Sequence, residues 1–354
     1  MYRCMYCLID KPTSEFNLEH IIPGSFGKFK KSPPKLKNCV CRNCNSVIFR
    51  KIEQIFARTS YEGLSRYKYG IDSTEAHEIS QSRVKGRVAG DPNWAGAFLD
   101  LTYDITRKQI MVGLAEQAGL KKKDTDQWVY FRLEELPCKN ELISMGLNVS
   151  GEKSFKFFCT DRKILKNALD KANISINGSE EMDCGLVTAE DSTILVEQKG
   201  VIDDINRRVI AKIAFNYLTS HMGVNFVMKK EFNGIRLFIH KGKGDSTKYV
   251  SVENKPILMN EILNGVKSNC GHILTLETKG KGILGKVSLF NLITYKVCFS
   301  ENINGVVPIV RKGLKFNIEK MIVEEIGTCS GSFAKSVMSG TFKKYKNPWR
   351  IKNG

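Results

Sequence analysis

Two cysteine pairs stand close to the start of the chain, Cys4-Met5-Tyr6-Cys7 and Cys41-Arg42-Asn43-Cys44. A C-x-x-C pair turns two sulfurs the same way at a tight turn, and two pairs can supply four thiolates to one tetrahedral zinc. The redox reading of C-x-x-C needs a βαβ context, and none is visible here. Cys39 competes for a ligand place, but Cys39-Val40-Cys41 is too short for the usual turn. The pairs lie further apart than the ~15–20 residues of a simple zinc ribbon. A segment of separate purpose is therefore inserted between them.

That insert carries Glu19-His20-Ile21-Ile22-Pro23-Gly24, which reads as a short strand running into a loop. Directly after the last cysteine come Asn45 and Ser46, either of which could cap a helix. Val47, Ile48, Ile52, Ile55 and Phe56 then recur at helical spacing.

In combination, Cys4-x-x-Cys7, Glu19-His20-Ile21-Ile22-Pro23 and Cys41-x-x-Cys44-Asn45 resemble the HNH endonuclease family, the ββα-metal nucleases, in its zinc-knuckle subgroup. The resemblance covers residues 1–58. It implies a zinc-stabilised ββα domain with Cys4, Cys7, Cys41 and Cys44 on the structural zinc. It implies that His20 is the general base that deprotonates the attacking water, a role suited to an ordinary pKa of ~6.5. Glu19 and Asn45 match the ligands of a catalytic divalent ion. One carboxylate and one amide oxygen suit Mg²⁺ or Mn²⁺, with water and phosphate completing the shell. Asn38 is the best match for the residue that orients the histidine, and Asn43 a weaker one. The last histidine of the family name is replaced by asparagine. Glu53, two turns beyond Asn45, is a supporting or salt-bridging residue.

The charge agrees with a polyanionic partner. Lys and Arg number 55 against 37 Asp and Glu, a net +18, and nucleic acid is the commonest match for such an excess. Residues 1–60 hold eleven Lys or Arg and four Asp or Glu. Lys28, Lys30, Lys31, Lys35 and Lys37 cluster after the histidine, Arg42 lies within the second cysteine pair, and Lys51 follows it on the helix. Contacts from such residues to phosphate position the DNA backbone without reading sequence. An amphipathic basic helix or a lipidation site for a membrane is not evident. With no apolar run long enough to span a bilayer and no signal-peptide pattern, a cytoplasmic location is the expectation.

The remaining residues read as supporting structure. Residues 59–84 read as a linker and 85–200 as a β-rich α+β region, with a hairpin around Arg107-Lys108 and a helix capped by Asp161. Residues 201–354 read as a helix-plus-sheet region ending in a basic tail; 85–354 could also be one module. A helix over about 202–221 carries the core stripe Ile205, Val209, Ile213 and Tyr217, with Arg207, Arg208 and Lys212 on a solvated edge. Gly280-Lys281-Gly282-Ile283-Leu284-Gly285-Lys286 matches two phosphate-loop patterns, but a β-rich run follows it where a helix is required, so it reads as a hairpin turn. The tail from Lys335 to Gly354 interleaves Phe342, Tyr345 and Trp349 with six basic residues and no acid.

The whole reads as an α+β protein, a metal-dependent HNH endonuclease acting on DNA. Its C-terminal module would choose substrate or control cleavage, by analogy in restriction or anti-phage defence. The alternatives are a non-catalytic zinc-knuckle DNA-binding protein, or a nuclease switched on by a small ligand or protein regulator at the C-terminal module.

Overall fold

A computed structural model describes residues 1–30, 33–71, 84–89, 94–104, 109–150, 154–175, 195–259, 262–263, 266–267, 270–305, 307 and 310–327. They divide into two units. The first draws on Met1–Glu75 and Val201–Thr341, the second on Ala76–Gly200.

The first unit begins with little regular structure. Strand β1 (Tyr2–Arg3) pairs antiparallel with β2 (Asp10–Lys11), and β3 (Glu19–His20) with β4 (Lys35–Leu36). A π-type helical stretch over Asn43–Phe49 runs straight into α1 (Arg50–Thr59). The helix thus starts earlier than Asn45 or Ser46, and neither caps it. The second cysteine pair supplies its first turn, in which the Asn45 amide donates to the Cys41 carbonyl at 3.0 Å.

Helix α2 (Tyr61–Lys68) falls where a linker over 59–84 was expected. Its polar sequence conceals Leu64 and Tyr67, both buried. Ser60 caps it by accepting from the Gly63 amide. Gly63 has no room for a side chain, because a Cβ there would lie 2.4 Å from the Ala57 carbonyl oxygen. Residues 72–83, like 335–354, lie outside the described residues.

Among the described residues, the second unit holds two antiparallel sheets. Strands β5 (Val84–Ala89), β6 (Phe98–Asp104) and β7 (Gln109–Leu114) lead to β8 (Gln117–Lys121) and β9 (Trp128–Arg132). Helix α3 (Lys139–Ser144), β10 (Phe155–Phe158), α4 (Arg162–Ala172) and β11 (Leu195–Gly200) follow. The sheet orders are β11-β5-β6-β7 and β10-β8-β9. As the sequence predicts, β6 and β7 form a hairpin, and Asp161 caps α4 by accepting from the Lys163 amide. Leu120, Leu142 and Leu165 belong to one core, Val88, Phe98 and Tyr130 to another.

The chain then returns to the first unit. Helices α5 (Asp204–Met222), α6 (Val224–Val227), α7 (Asn233–Lys241) and α8 (Ser246–Tyr249) come first. Strands β12 (Val250–Glu253), β13 (Ile262–Leu263), β14 (Val266–Lys267), β15 (Gly271–Lys279), β16 (Gly282–Ser288), β17 (Thr294–Ser300), β18 (Arg311–Asn317) and β19 (Ile322–Ile326) complete it. Six of them form an antiparallel sheet in the order β12-β17-β16-β15-β18-β19. The glycine-rich segment is the β15–β16 turn, with Gly280 at φ 60°.

Helix α5 packs on this sheet and on α1. One continuous core joins Met5, Phe26, Phe49 and Phe56 to Ile213, Tyr217, Leu274 and Tyr295. Residues 1–58 therefore share one core with the described residues of 201–327. Two-residue strands and one helix bury too little apolar area to fold alone, and α5 supplies what they lack. A helix surrounded in this way is buried on nearly every face. Lys212, read as part of a solvated edge, is 1% exposed.

His272, on β15, ties the early loop to the sheet. Its Nε2 lies 2.8 Å from the Phe26 carbonyl oxygen, and its Nδ1 accepts from the Phe290 amide at 3.2 Å. Only the neutral Nε2–H tautomer satisfies both partners. Burial pushes its pKa down from 6.5 to about 4. The unfolded chain thus binds the proton more readily. The neutral form's contribution is complete above pH 6.5 and is lost as pH falls from there towards 4, by up to about 3 kcal/mol. In urea titrations at pH 7 and pH 4.5, His272→Gln should lose less stability on acidification than the parent. Equal acid slopes would contradict this.

Candidate active site and zinc cluster

The four cysteine sulfurs lie within 4.8 Å of one another. Cys4 and Cys44 are 3.8 Å apart and Cys7 and Cys41 3.9 Å. With Zn–S bonds of about 2.3 Å, a tetrahedron has edges of about 3.8 Å, so this donor set fits Zn²⁺. Four thiolates this close repel, and a divalent cation is the group that holds them charged together. Cys39 stands apart, its thiol donating to the Lys37 carbonyl.

Residues remote in sequence brace the cluster. The Arg236 guanidinium, on α7, donates to the Met5 carbonyl at 2.7 Å and the Val227 carbonyl at 2.5 Å. His240 Nε2 sits 3.5 Å from the Cys44 sulfur, where a histidine N–H can donate to a metal-bound thiolate. Cys44 lies 196 residues before His240, a separation that no local spacing reports.

His20 is exposed at the end of β3, opposite Lys35. Partial burial, then Lys35, push its pKa below 6.5, against the pull of Glu19. The free-base imidazole therefore prevails at neutral pH. Its backbone is held from α5, where Asn216 Nδ2 donates to the His20 carbonyl at 3.2 Å. A cleft of about 310 Å³ opens beside the ring, with Lys28 and Lys35 also on its wall.

Glu19 points the other way. It is 2% exposed and accepts from Asn216 Nδ2 at 2.8 Å and from the Lys212 ammonium. Lys212 also bonds Glu53 on α1, and Tyr6 donates to Asn216 Oδ1 at 2.8 Å. Burial alone would push the Lys212 ammonium down, but Glu19 and Glu53 outweigh it and hold the pKa above its ordinary value. Glu53 is pushed up by burial, with Lys212 opposing. The result is a closed polar network, Tyr6–Asn216–Glu19–Lys212–Glu53, inside an apolar core.

A family model described as HNH endonuclease matches residues 4–60. Residues 4–60 are an HNH domain. No curated protein and no solved structure matches the chain.

The HNH domain assembles only part of the expected site. Glu19 and His20 are neighbours on β3 whose side chains serve different surroundings. Asn45 is half-buried, its Nδ2 donating to Asn17 Oδ1 at 3.0 Å and to the Leu18 carbonyl at 3.4 Å. Asn38 occupies a left-handed turn with φ 57°, and no hydrogen bond joins it to His20. Asn216 is the residue that holds His20, through the backbone. Lys28, Lys30, Lys35, Lys37, Arg42 and Lys51 are exposed, and Lys31 lies outside the described residues.

The HNH domain does not fit a divalent ion on Glu19 and Asn45. The Glu19 oxygen already carries a fixed ammonium and an amide, and an added dication there would meet the Lys212 charge in a poorly screened interior. Among the described residues, the cysteine set is the one cluster of three or more His, Cys, Asp or Glu ligand atoms. Sequence reasoning missed Lys212 and Asn216. The available signal was their spacing with Thr219 on α5, at i, i+4 and i+7, which puts three polar residues on one stripe of an apolar helix. Thr219 indeed lies 3.5 Å from the Met5 sulfur.

Proposed function

We propose that the first unit is an endonuclease hydrolysing DNA phosphodiester bonds, with His20 as the general base. The observation that carries this reading is an exposed imidazole, biased to its free-base form, beside a lysine-flanked cleft within an HNH domain. Water attacks the phosphorus while its proton passes to the His20 ring, the P–O3′ bond breaks, and the leaving 3′-oxygen takes a proton from solvent. Lys28 and Lys35 meet the phosphate charge. No step is routed through a divalent ion, since Glu19 is committed to Lys212. Hydrolysis draws on the first unit alone, which leaves the second unit the selection of substrate or the control of cleavage.

A second reading is a zinc-knuckle DNA-binding protein that does not cut. The pairing of Glu19 with Lys212 favours it.

Supercoiled plasmid incubated with the full chain, with and without Mg²⁺ or Mn²⁺, separates the two. The parent should nick or linearise the plasmid, and His20→Ala should be slower by about 10²–10⁴-fold. The variant should keep its fold and zinc, since Asn216 grips the His20 carbonyl and not its ring. Equal cleavage by a folded His20→Ala protein would remove the mechanism. A parent that binds plasmid and leaves it intact would favour the second reading.

A further inference from the structure

We propose that the cleft beside His20 takes one unstacked nucleobase of the DNA strand, next to the phosphate that His20 serves. The proposal rests on the nuclease reading and names the ligand class of that site.

The cleft is walled by Ile21, Ile22, Phe29, Pro33, Pro34 and Phe316, with Lys28, Lys35 and His20 as its charged or titratable members. Its volume of about 310 Å³ is at the small end of ligand pockets, about 300–1,000 Å³. That is room for a base and its sugar, and too little for a duplex segment.

The aromatic wall is held in position. Phe29 meets His272 edge-on at 5.8 Å and Phe316 at 5.1 Å. Gly27, at φ 133°, sits so close that a Cβ there would lie 3.0 Å from the Phe29 ring. A half-exposed phenylalanine fixed on three sides has lost little further freedom when a flat ring stacks on it. Bases stack on such rings regardless of sequence.

The charges around the cleft choose the ligand. No acidic side chain lines it among the described residues, whereas two exposed lysines do. An apolar, aromatic slot with cations at its edge matches a nucleobase tethered to phosphates. It does not match a cationic or purely apolar ligand. A base drawn into this slot places its flanking phosphates near Lys28 and Lys35 and beside His20. Cutting would then prefer DNA whose bases leave the stack at low cost, such as single strands, mismatches or bulges.

Gly24 gives a clean means of closing the slot. It lies on the cleft wall, and a Cβ there meets nothing within 4 Å. Gly24→Leu adds to that wall a side chain that cannot stack, without entering the core.

The test is a short single-stranded oligonucleotide carrying one 2-aminopurine, mixed with the full chain and read by fluorescence on mixing. Transfer of the base from its own stack to Phe29 should change the emission saturably. Gly24→Leu and Phe29→Ala should each weaken that binding by about 5–150-fold, the equivalent of one base stack. Phe29→Tyr, which keeps a stacking ring, should retain it. Melting temperature is measured beside each variant, so that a misfolded Phe29→Ala leaves Gly24→Leu to decide. An oligonucleotide that binds with no change in emission, or that binds the parent and Gly24→Leu equally, overturns the pocket. The plasmid assay is independent of this readout. The emission change without plasmid cleavage keeps the pocket and rejects the nuclease, while cleavage unaffected by Gly24→Leu rejects the pocket alone.

Discussion

Stripping zinc from the intact chain is expected to unfold the first unit. Structural zinc contributes about 10–16 kcal/mol of apparent binding free energy, against about 5–15 kcal/mol for the net stability of a typical domain. The cluster is also embedded in the core that the HNH domain shares with α5 and the six-stranded sheet. Arg236 and Thr219 both grip Met5, between the first two cysteines. Losing the metal therefore frees the segment that covers one side of α5, and the exposed apolar face destabilises the rest. A thiol-reactive mercurial should release about one zinc per chain. The melting transition of the first unit should vanish with it, and Cys41→Ser should behave alike. A zinc-depleted protein with an unchanged melting curve would count against the ion as a structural element.

Lys212→Met should cost about 3–5 kcal/mol, because removing one member of a buried ion pair strands its partners. Here two carboxylates, Glu19 and Glu53, are left to face each other without their shared cation. Methionine fills the volume, so the loss reports charge and not a cavity. Adding Glu53→Gln to Lys212→Met removes one of the stranded charges and should recover part of the stability. Urea unfolding of the parent, the single variants and the double variant gives the coupling. Additive losses, or a Lys212→Met protein as stable as the parent, would show that the network carries no such energy.

The four-cysteine cluster was legible in the sequence because it is written in local spacing, two C-x-x-C pairs with a short strand between them and a helix behind. The β6–β7 hairpin, α4 with its Asp161 cap and α5 were legible for the same reason, since periodicity and caps are near-neighbour signals. Asn38 and Asn45 were placed by motif position, and motif position does not say where a side chain turns. Asn38 serves a left-handed turn, and Asn45 bonds Asn17. Lys212 was the largest departure. On a helical wheel it is a charge beside an apolar stripe, and a solvated edge is the ordinary outcome. What reverses that outcome is a pair of glutamates brought up from the start of the chain, and no local pattern records their arrival. The helix at Tyr61–Lys68 was hidden by polar residues flanking a buried Leu64 and Tyr67.

The interruption of the first unit by Ala76–Gly200 bears on the order of events during synthesis. A ribosome completes all four zinc cysteines and His20 long before it reaches α5. Glu53 then waits 159 residues for Lys212, and His20 waits 196 for Asn216. Chains are synthesised at about 5–20 residues per second, so the nascent N-terminal segment spends about 8–40 seconds without the helix that braces it. During that interval it holds the residues of the proposed site but not the frame that aligns them. On the proposed reading, a truncated product that ends before α5 should be inert, because Lys212 and Asn216 are missing from it.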